Sequence, residues 1–232
     1  MREDDRKSVR ALGLFRDMTQ ENFDALMTAA YLQRFPAHVE LIREGDSADF
    51  LYVVVDGGVE LFSTSDGKET TLAIVSPVST FILAATVKDL PFLMSGRTLV
   101  QSQVLLIPSV DIRRIFGTDD KFARAIVTEL AQCYRVVVKS MKNLKLRTAV
   151  ERVANYILRL NIRAGRDGIV TLKIGKRNLA SLLGMTPENL SRAFNVLQSH
   201  GVSVDGVHIT ISDLDKLAAF AKPNPFIDDM SS

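Results

Sequence analysis

The sequence has few of the residues that build metal centres or covalent cross-links. Cys133 is the single cysteine, which excludes a disulfide within one chain and an iron–sulfur cluster held by the cysteines of one chain. The three histidines, His38, His200 and His208, stand far apart and lack the spacing of metal ligands. A bound metal would therefore have to arrive with a cofactor.

Long apolar runs are also missing. No stretch approaches the roughly 18 uninterrupted apolar residues of a membrane-spanning helix. The charged start MREDDRKSVR is not followed by the apolar segment of a secretory signal. We therefore expect a cytoplasmic protein with no membrane partner. With 232 residues, of which 47% are hydrophobic and 24% charged, the chain is expected to fold as two globular domains.

The net charge of +2 conceals an uneven distribution. Residues 135–192 carry 13 lysines and arginines against three acidic residues, whereas residues 1–134 carry 14 against 19. A basic segment flanked by acidic ones is typical of a nucleic-acid site. The alternative, from charge alone, is a solvated helix surface that keeps the protein soluble.

The spacing of apolar residues changes along the first half of the chain. Residues 8–30 have helical spacing, and Thr19 in MTQENF is suited to begin a helix. From about residue 31, short apolar runs have period two, and Asp66-Gly67 between two such runs predicts a hairpin. Several strands of this spacing without interleaved helices predict an antiparallel barrel or roll.

Residues 119–146 contain no glycine or proline and predict one long helix. Apolar residues three or four positions apart form one stripe along it. The stripe consists of Ile126, Leu130, Cys133, Val137, Met141 and Leu144. We predict that this stripe is the seam of a homodimer, in which Cys133 is a small buried apolar residue. The alternative is an ordinary core helix packed on its own barrel.

The remaining residues alternate between helices and short β-ribbons. The pattern predicts helix 147–163, a hairpin around GRDGIVTLKI, helices 176–183 and 187–199, and a second hairpin in SVDGVHITIS. Helices flanked by small ribbons are typical of a winged helix-turn-helix. The predicted fold is α+β, with an antiparallel β-roll sensor domain (1–118), a dimerisation helix (119–146) and a winged helix-turn-helix that binds DNA (147–232).

The window KRNLASLLGMTPENLSRAFNVLQSHG carries the strongest local signal. Gly184 suits the turn between two helices, and Thr186-Pro187 suits the start of the second. Leu190, Phe194 and Leu197 predict the buried face of that second helix. The candidate DNA-binding residues are Glu188, Ser191, Arg192 and Asn195 on its opposite face, with Lys176 and Arg177 before it.

The chemistry of these side chains fits base recognition. Arginine can donate two hydrogen bonds to guanine O6 and N7, glutamate can accept from cytosine N4, and serine suits a thymine methyl group or a phosphate. The alternative is that Glu188 and Arg192, four residues apart, form only a surface ion pair.

Taken together, the roll, the long helix and the helix-turn-helix resemble the CRP/FNR family of transcription regulators over nearly the full length of the chain. The stretch EGDSADFLYVVVDGGVELFSTSDGKETTLAIV resembles that family's cyclic-nucleotide-type β-roll, with Gly45, Gly57 and Gly67 at turn positions. The run TPENLSR is similar to the E-x-x-S-R recognition helix of the FNR-like branch, whereas the cAMP-responsive branch usually has glycine where Ser191 stands. The resemblance implies that Glu188, Ser191 and Arg192 read palindromic TTGAT/ATCAA-type half-sites in double-stranded DNA, and that RNA polymerase is a partner.

The resemblance also implies a ligand-binding cassette that this chain lacks. The cyclic-nucleotide branch has Gly-Glu after a strand with a Phe-Ile pair, and Arg-Ser eleven residues later. When the family's cassette is aligned without gaps to STFILAATVKDLPFLMSG, the Gly-Glu positions hold Leu83-Ala84 and the Arg-Ser positions hold Met94-Ser95. A buried phosphate without a cation is poorly paired, so we expect neither cAMP nor cGMP as effector. Arg97 could supply the cation only if the loop shifted.

The effector is left open by the sequence. The cluster-binding cysteines of FNR are absent, and the proposed effector pocket comprises Leu83, Ala84, Met94, Ser95 and Arg97. An apolar pocket lined by Phe81, Ile82, Leu83, Phe92, Leu93 and Met94 could house haem, with His38 as the candidate axial ligand. The resemblance to the nitric-oxide-responsive DNR/NNR-like members implies that nitric oxide could then be the signal. The alternatives are another small ligand, or control through protein level alone.

Two other classes of protein compete with a DNA-binding regulator. An enzyme on a cupin-like roll would need clustered histidine and carboxylate ligands, which the chain lacks, so we do not expect an enzyme. A cyclic-nucleotide-binding module without DNA function is disfavoured by the altered cassette and by the recognition helix. The remaining alternative is a cyclic-nucleotide-binding regulator with an atypical phosphate cassette.

Overall fold

The computed structural model describes residues 3–229. The chain divides into two compact units, Met1–Cys133 and Tyr134–Ser232. The division falls within one long helix, so the first part of that helix belongs to the N-terminal unit and the rest to the C-terminal unit.

Three short helices begin the N-terminal unit. They are α1 (Glu3–Arg10), α2 (Gly13–Arg16) and α3 (Gln20–Ala29). The hydroxyl of Thr19 accepts a hydrogen bond from the backbone N–H of Asn22, so the helix start predicted at this threonine is confirmed. Phe15 and Phe23 from these helices are buried in the same core as Leu51 and Leu105 of the strands that follow.

Eight antiparallel strands form two four-stranded sheets, which confirms the predicted roll. The strands are β1 (Tyr31–Phe35), β2 (Glu40–Ile42), β3 (Phe50–Asp56), β4 (Val59–Ser65), β5 (Lys68–Val75), β6 (Ser79–Phe81), β7 (Ser95–Thr98) and β8 (Ser102–Pro108). One sheet has the order β1-β8-β3-β6 and the other β2-β7-β4-β5. Tyr52 and Val104 from the first sheet share an apolar core with Leu61 and Val75 from the second.

The hairpin predicted at Asp66-Gly67 is confirmed. Strands β4 and β5 pair up to Ser65 and Lys68, which leaves only these two residues in the turn. Their φ angles are 50° and 72°, the left-handed backbone that a two-residue hairpin turn requires at both positions. Asp and Gly tolerate this conformation better than most residues, which is why the dipeptide predicted the turn.

The roll contains a helix that the sequence did not predict. Helix α4 (Leu83–Lys88) lies between β6 and β7, where we expected strands without interleaved helices. Ile82 before it and Asp89 after it both adopt left-handed backbone, which reverses the chain at each end. Leu83 and Thr86 are buried on one side of this turn and a half, too short a segment for its apolar spacing to stand out from that of a strand. Helix α5 (Ser109–Phe116) follows β8.

The long helix predicted over 119–146 is confirmed as α6 (Asp120–Leu146). Asp119 holds its beginning: one carboxylate oxygen accepts from the N–H groups of Lys121 and Phe122, and the other from the backbone of Thr19 and the side chain of Asn22, at 2.9–3.1 Å. Burial opposes the charge, but these hydrogen bonds outweigh it and lower the pKa of Asp119 to about 2. Asp119 therefore joins α6 to the helical N-terminus of the same unit.

The C-terminal unit consists of short helices and one small sheet. Its further elements are α7 (Ala149–Arg163), β9 (Ile169–Thr171), α8 (Lys176–Leu182), α9 (Pro187–Gln198), β10 (Val202–Asp205), β11 (His208–Ile211), α10 (Leu214–Ala221) and α11 (Pro225–Asp228). Thr148 and Glu151 form a reciprocal capping box at the start of α7. The helices predicted in this region are confirmed to within two residues at each end.

One of the two hairpins predicted here is wrong. Strands β10 and β11 form the expected hairpin in SVDGVHITIS. The segment GRDGIVTLKI, however, supplies only β9, which pairs with β11 to give the order β10-β11-β9. Val170 is therefore paired in register with Ile209, nearly forty residues away, rather than with a residue just beyond the local turn.

Neither a membrane-spanning helix nor a metal-binding cluster occurs in the described part of the chain. None of the helices within residues 3–229 is long and apolar enough to cross a bilayer. Over the same residues, no group of three or more histidine, cysteine, aspartate or glutamate side chains is arranged to hold a metal ion.

Candidate nucleic-acid interface

Helices α8 and α9 and the tight turn between them form a helix-turn-helix. Gly184 in that turn has a φ of 65°, and a Cβ atom at this position would lie 2.7 Å from Cδ2 of Leu144 at the end of α6. Only glycine satisfies both conditions without displacing a neighbour. The hydroxyl of Thr186 then accepts from the N–H of Asn189, and Pro187 occupies the first turn of α9.

Helix α9 has one buried and one exposed face. Leu190, Phe194 and Leu197 are buried, as predicted, together with Ala193. They pack in one core with residues of α7, α8 and the small sheet. The candidate DNA-binding residues Glu188, Ser191, Arg192 and Asn195 are all exposed. The core therefore fixes the helix from behind and leaves these four side chains free to contact a partner.

Glu188 lies in the first turn of α9, where its charge is stabilised. Hydrogen bonding by its own backbone N–H and by the hydroxyl of Thr186 favours the ionised carboxylate, as does the positive charge of Arg192. These contacts lower the pKa of Glu188 below its usual value, so the side chain is an ionised acceptor at neutral pH. The hydroxyl of Ser191 donates to the carbonyl of Pro187 at 3.0 Å, which fixes its orientation.

Two further cations stand at the beginning of α8. Lys176 and Arg177 are both exposed. The ammonium of Lys176 lies 6.0 Å from the ring centroid of Phe194, so it is close to the middle of α9. Cations at the end of a helix-turn-helix can contact the phosphate backbone without reading sequence.

Sequence reasoning missed Arg152, which connects α7 to the turn of the motif. Its guanidinium donates to the carbonyl of Leu183 at 2.8 Å, to that of Gly184 at 3.2 Å and to that of Arg147 at 2.8 Å. These acceptors are backbone atoms, two of them some thirty residues away in the chain. A helical arginine with backbone partners leaves no pattern in the sequence that would have identified it.

The structure places the predicted effector-pocket residues in different surroundings. Leu83 is buried in the core that contains the N-terminal helices, whereas Phe81 and Phe92 belong to the core between the sheets, against which Met94 packs. Ala84 is exposed, and Leu93 is 81% exposed, so its predicted place in an apolar lining is wrong. The hydroxyl oxygen of Ser95 accepts a hydrogen bond from the backbone N–H of Glu44. Leu83 and Ala84 both lie in α4, where successive residues point to different sides of the helix, so one is buried and the other exposed.

Arg97 is engaged by acidic partners within the roll. It donates to Glu60 at 2.9 Å and to both carboxylate oxygens of Glu69, and its guanidinium stacks 4.3 Å from the Phe62 ring centroid. Glu60 is almost completely buried and also accepts from the hydroxyl of Thr71. The hydrogen bond to Glu69, followed by those to Glu60, raises the pKa of Arg97 above its usual value against the opposing effect of burial. The cation is thus neutralised by this chain's own carboxylates.

A pocket does exist in the roll, but with a different lining. A volume of about 540 Å³ is bordered by Phe50, Tyr52 and Phe92 together with the exposed acids Asp46 and Asp49. Phe92 is the one residue it shares with the predicted apolar lining.

His38 occupies an exposed turn between β1 and β2. Its φ is 64°, and its backbone N–H donates to the carbonyl of Thr98 at 2.8 Å. An exposed turn histidine does not have the buried position of an axial haem ligand. His38 therefore does not fit the role that we considered for it.

The residues of the predicted dimer seam fall into two groups. Ile126 is fully buried in the core of its own N-terminal unit, where Leu130 also packs. The prediction that Ile126 lies in the dimer seam is therefore wrong. Cys133, Val137, Met141 and Leu144 are exposed in the single chain, about half in the case of the last three. The helix leaves the core of the N-terminal unit after Leu130, and in the C-terminal unit Leu144 lies against Gly184 while remaining about half exposed.

Comparisons with known proteins agree with both units. A cyclic nucleotide-binding domain model matches residues 32–119, and a Crp-like helix-turn-helix domain model matches residues 151–220. The chain is 24% identical to the CRP-like cAMP-activated global transcriptional regulator of Mycobacterium tuberculosis over 216 residues, which are 90% of this chain and 96% of that protein. It is 24% identical to the transcriptional activator protein anr of Pseudomonas aeruginosa, with 78% and 76% covered.

A solved structure supports the same assignment. FixK2 from Bradyrhizobium japonicum superposes with a TM-score of 0.72 and 25% sequence identity, covering 82% of this chain and 96% of that one. The two domain models together span well over half of the chain, in the order sensor-type roll and then helix-turn-helix. The chain therefore belongs to the CRP/FNR family and is a transcription regulator with a cyclic-nucleotide-binding-like domain and a DNA-binding helix-turn-helix.

Proposed function

We propose that this regulator binds palindromic double-stranded DNA as a homodimer, reads TTGAT-type half-sites through Glu188, Ser191 and Arg192, and responds to an effector that is not a cyclic nucleotide. The observation that carries the DNA part of the proposal is the division of α9 into a buried apolar face and an exposed face bearing these three side chains. Recruitment of RNA polymerase would follow once the dimer is bound.

The chemistry of each side chain supports base recognition. Arg192 is exposed and can donate two hydrogen bonds to guanine O6 and N7, and ionised Glu188 can accept from cytosine N4. Lys176 and Arg177 would position the motif on phosphates. Asn195, one turn further along α9, extends the same exposed face.

A dimer is supported by the exposed apolar residues of the second half of α6. Val137, Met141 and Leu144 lie three or four residues apart, so they share one face of the helix. Pairing of two such faces would bury them and relate two recognition helices by a twofold axis. Two half-sites one DNA turn apart, roughly 34 Å, match this symmetry.

The altered cassette argues against cAMP and cGMP as effectors. Leu83 and Ala84 stand where the family has Gly-Glu, and Leu83 is part of the apolar core. Arg97, the cation that follows the cassette in the sequence, already pairs with Glu60 and Glu69. A cyclic phosphate would have to break these ion pairs and leave buried Glu60 without its cation, which is costly. A small effector of other chemistry avoids that cost.

The alternative, an atypical cyclic-nucleotide regulator, rests on the name of the relative from Mycobacterium tuberculosis, which is called cAMP-activated. Isothermal titration with cAMP and cGMP distinguishes the two. We expect no heat of specific binding and no change in DNA affinity. Saturable binding of either nucleotide in the micromolar range would favour the alternative.

Haem is the other effector that we considered, and His38 does not fit it. An absorption spectrum of the purified protein, recorded with and without added haem, tests this directly. We expect no shift of the Soret band upon mixing. A shifted band that survives the substitution His38→Ala would mean that haem binds through a different ligand.

Binding to a TTGAT-N4-ATCAA duplex tests the DNA part of the proposal. A gel shift should give specific binding, and Arg192→Ala should weaken it by about 1–3 kcal/mol through the loss of the guanine contact. Arg163→Ala is the matched control, because it removes the same charge from an exposed position at the end of α7. Equal losses in both variants would reduce the effect to non-specific charge and contradict the assignment of Arg192.

A further inference from the structure

Asp228, near the end of the described residues, is held between two arginines, Arg147 just before α7 and Arg159 within it. Arg147 donates to its two carboxylate oxygens at 2.8 and 2.5 Å, and Arg159 donates a third hydrogen bond at 3.1 Å. The side chains of Arg147 and Asp228 are only 7% and 11% exposed. A two-pronged, enclosed arginine–carboxylate pair holds its geometry far better than a surface ion pair.

The residues around Asp228 form a compact structure, which we call the C-terminal segment (residues 222–229). The side chain of Asn224 accepts from the N–H of Phe226 at 2.8 Å and so caps α11. The N–H of Asn224 donates to Asp228, and Ile227 is buried. Lys139 of α6 donates to the carbonyl of Asp229 at 2.7 Å. The segment therefore contacts both the second half of α6, through Lys139, and helix α7, through Arg159.

Arg147 is the point at which this contact reaches the helix-turn-helix. It stands between the end of α6 and the start of α7. Its side chain is held by Asp228, and its backbone carbonyl accepts from Arg152. Arg152 in turn donates to the carbonyls of Leu183 and Gly184, in the turn that precedes α9. A series of hydrogen bonds through Arg147 and Arg152 thus joins the C-terminal segment to the turn that precedes α9.

We propose that the C-terminal segment fixes the junction between α6 and α7 and thereby positions the recognition helix for DNA, with Asp228 as a positioning residue that acts through Arg147. The proposal rests on the proposed function, in which α9 reads DNA. The proposal predicts an effect on DNA affinity opposite to that of charge alone. A carboxylate repels the DNA backbone, yet the carboxylate of Asp228 should strengthen specific binding.

The sign of that consequence gives a sharp test. Asp228→Asn removes a negative charge, which by itself strengthens binding to DNA. We expect instead that Asp228→Asn weakens binding to the TTGAT-N4-ATCAA duplex about fivefold or more, because the junction loosens. Asp215→Asn is the matched control, since Asp215 is exposed on α10 and the substitution changes the charge of the same unit by the same amount. It should bind as tightly as the wild type or slightly more tightly.

A second variant removes the segment's order without changing any charge. Asn224→Ala deletes the cap of α11 and leaves Asp228 and both arginines in place. It should lose affinity in the same direction as Asp228→Asn, but by less. Because Asn224 is exposed, this variant decides the matter even if Asp228→Asn does not fold.

Hydrogen exchange of the free full-length protein provides a readout that does not need DNA. Amides at 145–148 and at 183–186 should exchange faster in Asp228→Asn and Asn224→Ala than in the wild type or Asp215→Asn. Unchanged exchange at 183–186 would overturn the proposed route through Arg147 and Arg152. Wild-type affinity in both variants would overturn the positioning role. Failure of the wild type to bind the duplex would instead contradict the proposed function, and exchange would still decide whether the segment orders the turn.

Discussion

The two halves of α6 carry the same apolar spacing but differ in what surrounds them. Ile126 in the first half is fully buried in the core of its own unit, whereas Val137 and Met141 in the second half are more than half exposed. Sequence period alone identifies a helix with one apolar face. It does not identify what covers that face, and here we assign the first half to intrachain packing and the second to a partner.

Replacement of Ile126 should have the largest effect on folding. Ile126→Ala removes a fully buried side chain and leaves a cavity, so the free energy of unfolding should fall by about 2–5 kcal/mol. Met141→Ala is the control on the second half. In urea titrations at low protein concentration, where a dimer dissociates, it should cost less than about 1 kcal/mol. Equal losses in the two variants would contradict the division of α6 into two surroundings.

Placing a charge on the second half should break the dimer without unfolding the chain. Val137→Asp would bury an unpaired carboxylate in the seam, so the dissociation constant should rise by at least about 30-fold, or roughly 2 kcal/mol. Val136→Asp is the matched control, because Val136 is similarly exposed but points about 100° away around the helix. Sedimentation velocity measures both. Dissociation in both variants, or in neither, would place the seam elsewhere.

Acid should weaken the attachment of the first half of α6. The pKa of Asp119 is about 2 in the folded chain, below its ordinary value of 3.8, so the ionised carboxylate stabilises the fold above pH 4. This stabilisation of about 2 kcal/mol should be lost progressively as the pH falls from about 4 to 2. In urea titrations the difference between wild type and Asp119→Asn should therefore shrink over that range. A difference that stays constant with pH would contradict the hydrogen-bonded role of this carboxylate, and Asp120→Asn, one residue later and exposed, is the control.

Local signals predicted those parts of the fold that depend on local chemistry. The Asp66-Gly67 turn, the start of α3 at Thr19 and the Gly184–Thr186–Pro187 turn each follow from backbone preferences of the residues themselves. The two faces of α9 follow from helical spacing. The candidate reading residues could therefore be selected from the sequence, and all of them are exposed.

Features that depend on distant partners were not predicted. Val170 lies in a strand because Ile209 pairs with it, not because its own segment folds back. Arg97 was considered as a phosphate ligand, but Glu60 and Glu69 from neighbouring strands neutralise it. Leu93 was assigned to an apolar pocket and is instead exposed, in the segment between α4 and β7.

By itself the sequence determined the two-residue turn at Asp66-Gly67, the position of helix α9 and the residues on its outer face, because helical period, caps and turns act over a few residues. Only the tertiary structure decided which charges are neutralised within the chain and which apolar residues of α6 stay exposed. It also brought Asp228 to Arg147 and Arg159, across 81 and 69 residues of sequence. Such contacts depend on where the packed core places each side chain, and no local pattern records that.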